Sequence, residues 1–330
     1  MYALGIETSC DETSVGIVNK NKVLANITIS SLKYHKKYGG IVPEIAHRNH
    51  LKFIEKVTYL ALKKARITLD DVAVIGVSSS PGLVGALLVG VSFAKGLSLA
   101  LKRPFLGINH LHAHLFSPFL DRKEKIPFPF IGLVASGGHT ELFLVKDFNR
   151  IRLIGKTRDD ACGEVFDKVA RFFGLGYPGG VYLDKLYSYS LRNSFKFRCP
   201  RIGFDFSFSG IKTAIIYKKM ELEKKNKLDG LTQIKLLSSF LEEIVNAIVE
   251  NTVKAARKFK IKNIVCGGGV VANCRLRYLF KEKEKEEKLH IFLPQKKYAT
   301  DNGAMVAGLT FYLYNNKGLK SNLNLEVSSQ

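Results

Sequence analysis

The sequence LGIETSCDETSVGIV, residues 4–18, has apolar, strand-forming residues at both ends and small polar residues at its centre. We interpret it as a β-hairpin. The same pattern returns in IGLVASGGHTELFLV, residues 131–145, where two apolar runs again meet at a turn of small and polar residues. One recurrence over the chain predicts two related halves and not a solenoid of many short repeats.

Each hairpin is followed by a helix and then by a buried strand. In the first half, Leu51, Ile54 and Val57 have helical spacing before an apolar strand at 72–77. In the second half, a longer amphipathic pattern from Ile234 to Val253 precedes a strand at 261–266. The arrangement predicts an α/β protein with two lobes and a cleft between them.

The boundary between the lobes is not marked by composition, and we place it near Gly107. The expected N-terminal lobe is therefore 1–107 and the C-terminal lobe 108–330. A last apolar helix, at about 303–314, can pack back on the first lobe, given the usual few-residue error of such boundaries.

The composition describes a folded and strongly basic chain. Its 330 residues contain 51 Lys+Arg against 29 Asp+Glu, a formal charge of +22, and 46% are hydrophobic. This excludes a disordered tail protein and indicates an acidic partner. Two charge-rich stretches, 218–227 and 281–288, are interpreted as solvated surface, with a weak electrostatic role left open for the first.

Cysteine usage and the N-terminus indicate a reducing compartment. The five cysteines include no C-x-x-C pair, so neither a disulfide framework nor a cysteine zinc site is expected. The chain enters an apolar strand at once, without a signal or transit pattern, and we expect a cytoplasmic protein. Residues 72–94 are uncharged, but Pro81 and Gly82 interrupt them, which favours a strand, a turn and a helix over a membrane span.

The strongest metal signal is the sequence HLHAH, residues 110–114. On a helix, His110 and His114 lie on one side, whereas His112 points away and is interpreted as structural. Such a pair also arises by chance, so the spacing alone is weak evidence. Leu111 stands where metalloproteases of the H-E-x-x-H type have their glutamate. Asp301, before the last helix, is either a helix cap or the third metal ligand.

Four turns of small residues could approach a phosphorylated ligand. They are the hairpin turns 8–13 and 136–138, the loop 177–180 between Asp167 and Asp184, and the glycine run 267–269 leading to Asn273. The first of them also carries Asp11 and Glu12. Each turn has an ordinary structural alternative: a hairpin turn, a helix cap, or close packing of a helix on a sheet.

Together, ten ordered motifs give the chain a specific resemblance. It resembles the bacterial TsaD members of the universal tRNA threonylcarbamoyladenosine-modifying family, once described as glycoprotein endopeptidases. The matching segments are 7–13, 38–44 with Arg48 and His50, 81–87, His110 with His114, 136–140, 159–168, 177–180, 205–213, 267–273 and 301–305. His139 after Ser136-Gly-Gly fits the bacterial branch of the family.

The resemblance implies a duplicated fold like that of actin and the sugar kinases. It implies transfer of a threonylcarbamoyl group from threonylcarbamoyl-adenylate to the N6 amine of the adenosine next to the anticodon, in tRNAs reading codons that begin with A. Carried over by position, His110, His114 and Asp301 hold one metal, Fe(2+) or Zn(2+). The adenylate contacts fall on Val134, Ala135, Ser136, Gly137, Gly138, Asp167, Gly180, Asp184 and Asn273.

We further hypothesise that Asp11 or Glu12 removes the proton from the amine. The implied partners are tRNA, a TsaB-like scaffold paralogue, a TsaE-like P-loop ATPase and a separate TsaC-type synthase that supplies the adenylate; no membrane is implied. Three alternatives remain: a metalloprotease, disfavoured by Leu111; a non-catalytic scaffold, which would lack the His110 and His114 pair; and a kinase, which would hold magnesium with carboxylates.

Overall fold

The computed structural model describes residues 1–329, and for Lys36 and Lys317 the backbone alone. The strands in this part of the chain are β1 Tyr2–Glu7, β2 Glu12–Asn19, β3 Lys22–Ser30, β4 Val72–Ser80, β5 Phe105–Asn109, β6 Phe130–Ala135, β7 Thr140–Asp147, β8 Arg150–Lys156, β9 Asn263–Gly267 and β10 His290–Phe292. The helices are α1 Leu32–His35, α2 Pro43–Ala65, α3 Val84–Leu101, α4 His110–Phe116, α5 Cys162–Phe172, α6 Gly179–Leu186, α7 Ser209–Lys224, α8 Gly230–Phe259, α9 Cys274–Glu286 and α10 Gly303–Lys317.

The strands form two sheets with the same topology. The first has the order β3-β2-β1-β4-β5 and the second, read in the equivalent direction, β8-β7-β6-β9-β10. In each, the hairpin and a third strand are antiparallel, and two parallel strands follow on the other side of the first hairpin strand. The two predicted hairpins and the predicted duplication are confirmed.

The chain divides into two compact units. The first comprises 1–126 and 294–330, and the second 127–293. The boundary expected near Gly107 falls inside the first unit, because Gly107 lies within β5, which pairs in parallel with β4. The first unit therefore continues through α4 before the chain enters the second.

Helix α10 packs on the first sheet, where three glycines allow the backbones to approach. A Cβ at Gly5 would lie less than 3.0 Å from backbone atoms of Ala307 and Gly303, and one at Gly16 would meet Ala304. The amide of Gly303 donates to Ser14 Oγ at 2.8 Å. This close packing fixes the residues just before α10 at the end of the hairpin strands.

In the second unit the core is built around α8, a 30-residue helix that begins with Asp229 capping the amide of Thr232 at 2.7 Å. Its apolar stripe, including Leu237, Leu241 and Ile244, is buried as the periodicity predicts. In the first unit, by contrast, Leu51 of α2 is 64% exposed although it belongs to the predicted apolar stripe. Ile54 and Val57 are buried there.

The uncharged stretch 72–94 forms β4, a turn and the start of α3, as predicted. Among the described residues, α3 alone has the length and apolar composition of a membrane-crossing helix. A single helix of this kind is weak evidence, since core helices of proteins without a membrane pass the same test. It contacts β4 and α2 within the first unit.

Candidate functional site

The histidine pair lies at the start of α4, directly after β5. The side chain of Asn109 caps this helix, accepting hydrogen bonds from the amides of Leu111 and His112 at 3.0 and 3.1 Å. The cap fixes the first turn of the helix. The rings of His110 and His114, one turn apart, meet edge to face with their centroids 4.6 Å apart. Both histidines are buried.

Asp301 completes the cluster from the residue before the N-cap of α10. Its Oδ1 lies 3.0 Å from His114 Nε2 and 3.6 Å from His110 Nε2. One potential ligand atom from each of the three residues lies within 4.8 Å of the others. The cap of α10 is Asn302, whose Oδ1 accepts from the amide of Met305, so the helix-cap interpretation of Asp301 is wrong.

The chemistry of the cluster fits a divalent transition metal. Two imidazoles and a carboxylate form a donor set that binds Fe(2+) or Zn(2+) and leaves further coordination positions open. Nδ1 of His114 is buried and has no hydrogen-bond partner within residues 1–329. A buried, unsatisfied polar atom is costly, which is consistent with a site made for a group that the protein itself does not supply.

Glu7, at the end of β1, holds the ring of His110 in place. Its fully buried carboxylate receives the Nδ1–H of His110 at 2.9 Å, the hydroxyl of Ser78 at 2.5 Å and the amide of Ser9 at 2.6 Å. Burial lowers the pKa of His110, but the charges of Glu7 and Asp301 raise it more, to about 9. Burial raises the pKa of Glu7, but the charge and the hydrogen bond of His110 lower it by more, so the pKa lies below its usual value.

The same arrangement is common around metal-binding histidines. A carboxylate accepts the N–H of one ring nitrogen and thereby orients the other nitrogen toward the metal. Glu7 lies in the first of the ten family motifs, and no function for it is predicted from the sequence. One feature of the sequence could have identified it: Glu7 is a carboxylate at the end of an otherwise apolar strand. Such a residue is unusual because a buried carboxylate requires partners.

The acidic turn of the first hairpin lies in the same unit. Asp11 is 7% exposed, and its Oδ2 accepts from Ser30 Oγ at 3.3 Å. Burial raises the pKa of Glu12 well above its usual value, and the charges of Asp11 and Asp301 raise it further. His50 of α2 braces the turn, with its ring nitrogens 2.8 Å from Thr13 Oγ1 and 3.0 Å from the carbonyl oxygen of Cys10.

The residues expected to contact the adenylate all lie in the second unit. Val134 and Ala135 are buried in β6, and Val134 pairs with neighbouring strands on both sides. The turn beyond them is more open: Gly137 and Gly138 are exposed. The amide of Ser136 donates to the carbonyl of His139 at 2.8 Å, which closes the turn.

Hydrogen bonds to helix residues hold the loop 177–180 and the start of α9. Asp167 Oδ1 accepts from the amide of Gly179 at 2.6 Å, and Asp184 Oδ1 accepts from the amide of Cys274 at 3.0 Å. Asn273 caps α9 through Oδ1, while its buried Nδ2 has no hydrogen-bond partner in the part of the chain described. The structure thus leaves one amide donor available beside a capped helix start.

The glycine run before Asn273 contains one position that requires glycine. Gly268 has φ +96°, and a Cβ there would lie less than 3.0 Å from the carbonyl of Ala135. The loop after β9 therefore lies directly against the end of β6. It brings the turn at 136–138 and the start of α9 into one neighbourhood of the second unit.

Comparisons with known proteins agree with this geometry. Residues 22–308 match the family model described as TsaD, tRNA N6-adenosine threonylcarbamoyltransferase. A tRNA N6-adenosine threonylcarbamoyltransferase of Thermosipho africanus (strain TCF52B) is 44% identical over 330 residues, spanning 99% of this chain and 98% of the relative.

Two solved structures share the fold at low identity. Full-length HypF in its phosphate- and nucleotide-bound form has a TM-score of 0.63 at 14% identity, covering 97% of this chain and 56% of HypF. Component A of the Acidaminococcus fermentans (R)-2-hydroxyglutaryl-CoA dehydratase has a TM-score of 0.54 at 12% identity, covering 96% and 100%. The likeness shows a duplicated actin-like α/β fold. With the family model and the 44% identical relative, it establishes that the chain belongs to the TsaD family of tRNA N6-adenosine threonylcarbamoyltransferases.

Proposed function

We propose that this protein transfers the threonylcarbamoyl group of threonylcarbamoyl-adenylate to the N6 amine of the adenosine next to the anticodon, in tRNAs that read codons beginning with A. Membership of the TsaD family over nearly the whole chain supports the reaction. The observation that supports the same reaction for this protein is the cluster of the buried His110 and His114 with the half-buried Asp301, whose potential ligand atoms lie within 4.8 Å of one another.

His110, His114 and Asp301 would hold one Fe(2+) or Zn(2+). When bound, the ion would supply Lewis acidity toward substrate oxygens. With the metal bound, Glu7 would keep the remaining proton of His110 on Nδ1, so that Nε2 serves as the ligand. The three protein donors themselves are fixed by the cap of α4, by Glu7 and by the packing of α10 on the hairpin.

The adenylate would be held by the second unit. The backbone of the small turn at 136–138, following Val134 and Ala135, would approach its phosphate, and Gly180 would allow a close approach at the start of α6. Asn273 would offer its unpaired Nδ2–H to a polar edge of the nucleoside. Asp167 and Asp184 would hold these loops in position through their hydrogen bonds to the amides of Gly179 and Cys274.

The transfer requires little activation of the donor, because a carbamoyl phosphate anhydride is already a reactive acyl group. The N6 amine attacks the carbamoyl carbon, the bond from that carbon to the phosphate oxygen breaks, and AMP leaves. The amine loses one proton. Orientation of the two substrates and removal of that proton are what the protein must supply.

Asp11 or Glu12 would receive this proton. Burial and the neighbouring carboxylates raise the pKa of Glu12 above its usual value, which makes its carboxylate a stronger proton acceptor than an ordinary glutamate. The double change Asp11→Asn with Glu12→Gln should abolish transfer while leaving adenylate binding intact. A transfer rate equal to wild type would exclude both residues as the base, and Cys10→Ser in the same turn serves as the control.

The metalloprotease alternative receives no support from the histidine helix. Leu111, at the position where an H-E-x-x-H protease has its general base, is a buried apolar residue with 6% exposure. The kinase alternative needs a magnesium site made of carboxylates, whereas the cluster offers two imidazoles. Incubation of metal-loaded protein with a casein substrate should give no cleavage.

The cytoplasmic partners would be tRNA, a TsaB-like scaffold paralogue, a TsaE-like ATPase and a TsaC-type synthase. Exposed apolar side chains on α2 and α3, among them Leu51, Tyr59 and Leu88, support a protein partner for the first unit. Replacing Leu51 and Leu88 by Glu should abolish co-purification with the paralogue, whereas Lys63→Glu with Lys64→Glu at the end of α2 should not.

The proposed reaction is tested by incubating the protein with the presumed partners, threonine, bicarbonate, ATP and tRNA lacking the modification. Nucleosides from the digested tRNA are then analysed by mass spectrometry. Threonylcarbamoyladenosine should appear only when the protein is present. Its absence under conditions where a TsaD relative produces it would contradict the proposal.

A further inference from the structure

A basic segment in the second unit has no role in the reaction as proposed. Residues 192–201, RNSFKFRCPR, contain four cations and no acidic residue. The side chains alternate: Phe195 and Phe197 pack against the core, and Cys199 is buried, whereas Lys196 and Arg198 are exposed. The alternation places Lys196 and Arg198 on the solvent side of the segment.

Backbone hydrogen bonds fix this segment to α8. The amide of Phe195 donates to Ser239 Oγ at 3.1 Å, and the amide of Cys199 donates to Glu243 Oε1 at 2.8 Å. Just before it, the amide of Ser188 donates to Ser238 Oγ at 2.9 Å. The cations are therefore carried by a positioned backbone, and binding through them does not require the segment to become ordered.

The segment borders an open cavity of about 650 Å³ whose acidic residues already have partners. Glu242 accepts two hydrogen bonds from Arg275, at 2.9 and 2.8 Å, and one from Tyr187 at 2.7 Å. Glu243 receives the amide of Cys199. Glu242 is paired with Arg275, and in the described part of the chain neither carboxylate forms an ion pair with Lys196, Arg198 or Arg201.

Among the described residues, the three exposed cations of the segment have no acidic partner, whereas several lysines of the two charge-rich stretches do. Within residues 1–329, the side chains of Lys196, Arg198 and Arg201 form no hydrogen bond and no ion pair. On α7 and α9, lysines of the charge-rich stretches pair with nearby glutamates: Lys218 with Glu221, Lys219 with Glu223, and Lys283 with Glu286. The segment itself contains no acidic residue, whereas glutamates are interspersed among the lysines of both charge-rich stretches.

Exposed aromatic rings lie beside the segment. The guanidinium of Arg192 lies 3.6 Å from the ring centre of Tyr189, and that of Arg275 lies 5.1 Å from the rings of both Tyr189 and Tyr278. The two tyrosines are 55% and 51% exposed. Arg275 follows Cys274, whose amide is bound by Asp184, so this group adjoins the residues proposed to hold the adenylate.

We propose that the basic segment and these tyrosines form a binding surface for tRNA, with Lys196, Arg198 and Arg201 contacting backbone phosphates and Tyr189 stacking on a base. Unpaired cations beside exposed aromatic rings match the chemistry of a single-stranded nucleic acid, whereas an acidic protein needs the charges alone. The inference rests on the proposed function, because it identifies a surface that binds the tRNA substrate of that reaction.

The test compares tRNA binding between two triple variants that lose equal charge. K196Q/R198Q/R201Q removes the cations of the segment, and K281Q/K285Q/K288Q removes three exposed lysines of the mixed-charge stretch on and after α9. Fluorescence anisotropy with labelled, unmodified tRNA is measured from 50 to 200 mM KCl, with the proposed partners present. Thermal unfolding confirms that both variants are folded.

The segment variant should lower the slope of log affinity against log salt by about 2–3, or roughly one per lost phosphate contact. The control variant should keep the wild-type slope. Tyr189→Leu should weaken binding by about fivefold or more without changing the slope, because stacking carries no charge. In all three proteins the binding of threonylcarbamoyl-adenylate should stay within twofold of wild type.

Equal slopes for the two triple variants would overturn the proposed surface while leaving the reaction intact. Competition by poly-aspartate as effective as competition by tRNA would overturn the assignment to nucleic acid. Wild-type protein that neither binds nor modifies tRNA would contradict the proposed function itself, and the surface with it.

Discussion

Replacing Glu7 by Gln should weaken metal binding without unfolding the protein. The carboxylate of Glu7 is fully buried and has two sides: Oε1 accepts from the amide of Ser9, and Oε2 accepts from His110 Nδ1 and Ser78 Oγ. A glutamine has nearly the same shape but only one accepting oxygen. The position of that oxygen decides the outcome.

The amide of Ser9 is a fixed backbone donor at 2.6 Å, so the glutamine oxygen should face it. The NH₂ group then faces His110 Nδ1, which must accept and not donate. The ring proton moves to Nε2, 3.6 Å from Asp301 Oδ1, and a protonated nitrogen cannot bind a metal. Loss of such a partner typically lowers metal affinity by about 10–100-fold, or about 1.4–2.7 kcal/mol, and this tautomer change points to the upper end.

The affinity is measured by competition between the protein and a chromophoric chelator for Co(2+) or Zn(2+), and the visible spectrum of the Co(2+) form reports the ligands. Thr13→Val is the matched control. It removes the 2.8 Å hydrogen bond to Nδ1 of His50, another buried histidine of the same unit that is not in the cluster. Both metal-free variants should unfold cooperatively.

Glu7→Gln protein that binds the metal within threefold of wild type, with an unchanged Co(2+) spectrum, would refute the positioning role of Glu7. A loss of affinity in Thr13→Val as large as that in Glu7→Gln would refute it equally, because the effect would then be a general loss of packing in the first unit.

Two further predictions concern stability. Gly5→Ala places a methyl group against backbone atoms of α10, which cannot move aside as a side chain can. It should lower the free energy of unfolding in urea by about 1–3 kcal/mol or more. Gly96→Ala, with open space around it, should leave that free energy unchanged. Arg275→Met leaves the carboxylate of Glu242 buried without its main partner and should cost about 3–5 kcal/mol, and Glu242→Gln in the same chain should recover much of that loss. A Gly5→Ala protein as stable as wild type would contradict the packing of α10, and a double variant no more stable than Arg275→Met would contradict the coupling of the pair.

Local patterns predicted much of the fold. The alternation of apolar and small residues in 4–18 and 131–145 identified both hairpins, because strand pairing across a short turn depends on residues close in sequence. The spacing of His110 and His114 likewise follows from helix geometry. The duplicated α/β architecture could therefore be predicted before any tertiary contact was known.

Contacts between distant residues could not be predicted in this way. Glu7 and His110 are 103 positions apart, and nothing in either local sequence indicates that the strand and the helix meet. The place of Gly107 within β5 depends on its pairing with β4, and the exposure of Leu51 depends on what packs beside α2. Helix periodicity identifies an apolar stripe, but it does not show which residues of the stripe are buried by other elements of the chain.

The most direct measurement supplies threonylcarbamoyl-adenylate itself, so that no synthase is needed. Wild-type protein and the double variant His110→Ala with His114→Ala are each incubated with the adenylate, the scaffold partner, the ATPase and unmodified tRNA, and the digested nucleosides are analysed by mass spectrometry. We expect threonylcarbamoyladenosine with wild type and none above background with the variant. No modified nucleoside with wild type, or equal amounts with both proteins, would contradict this expectation.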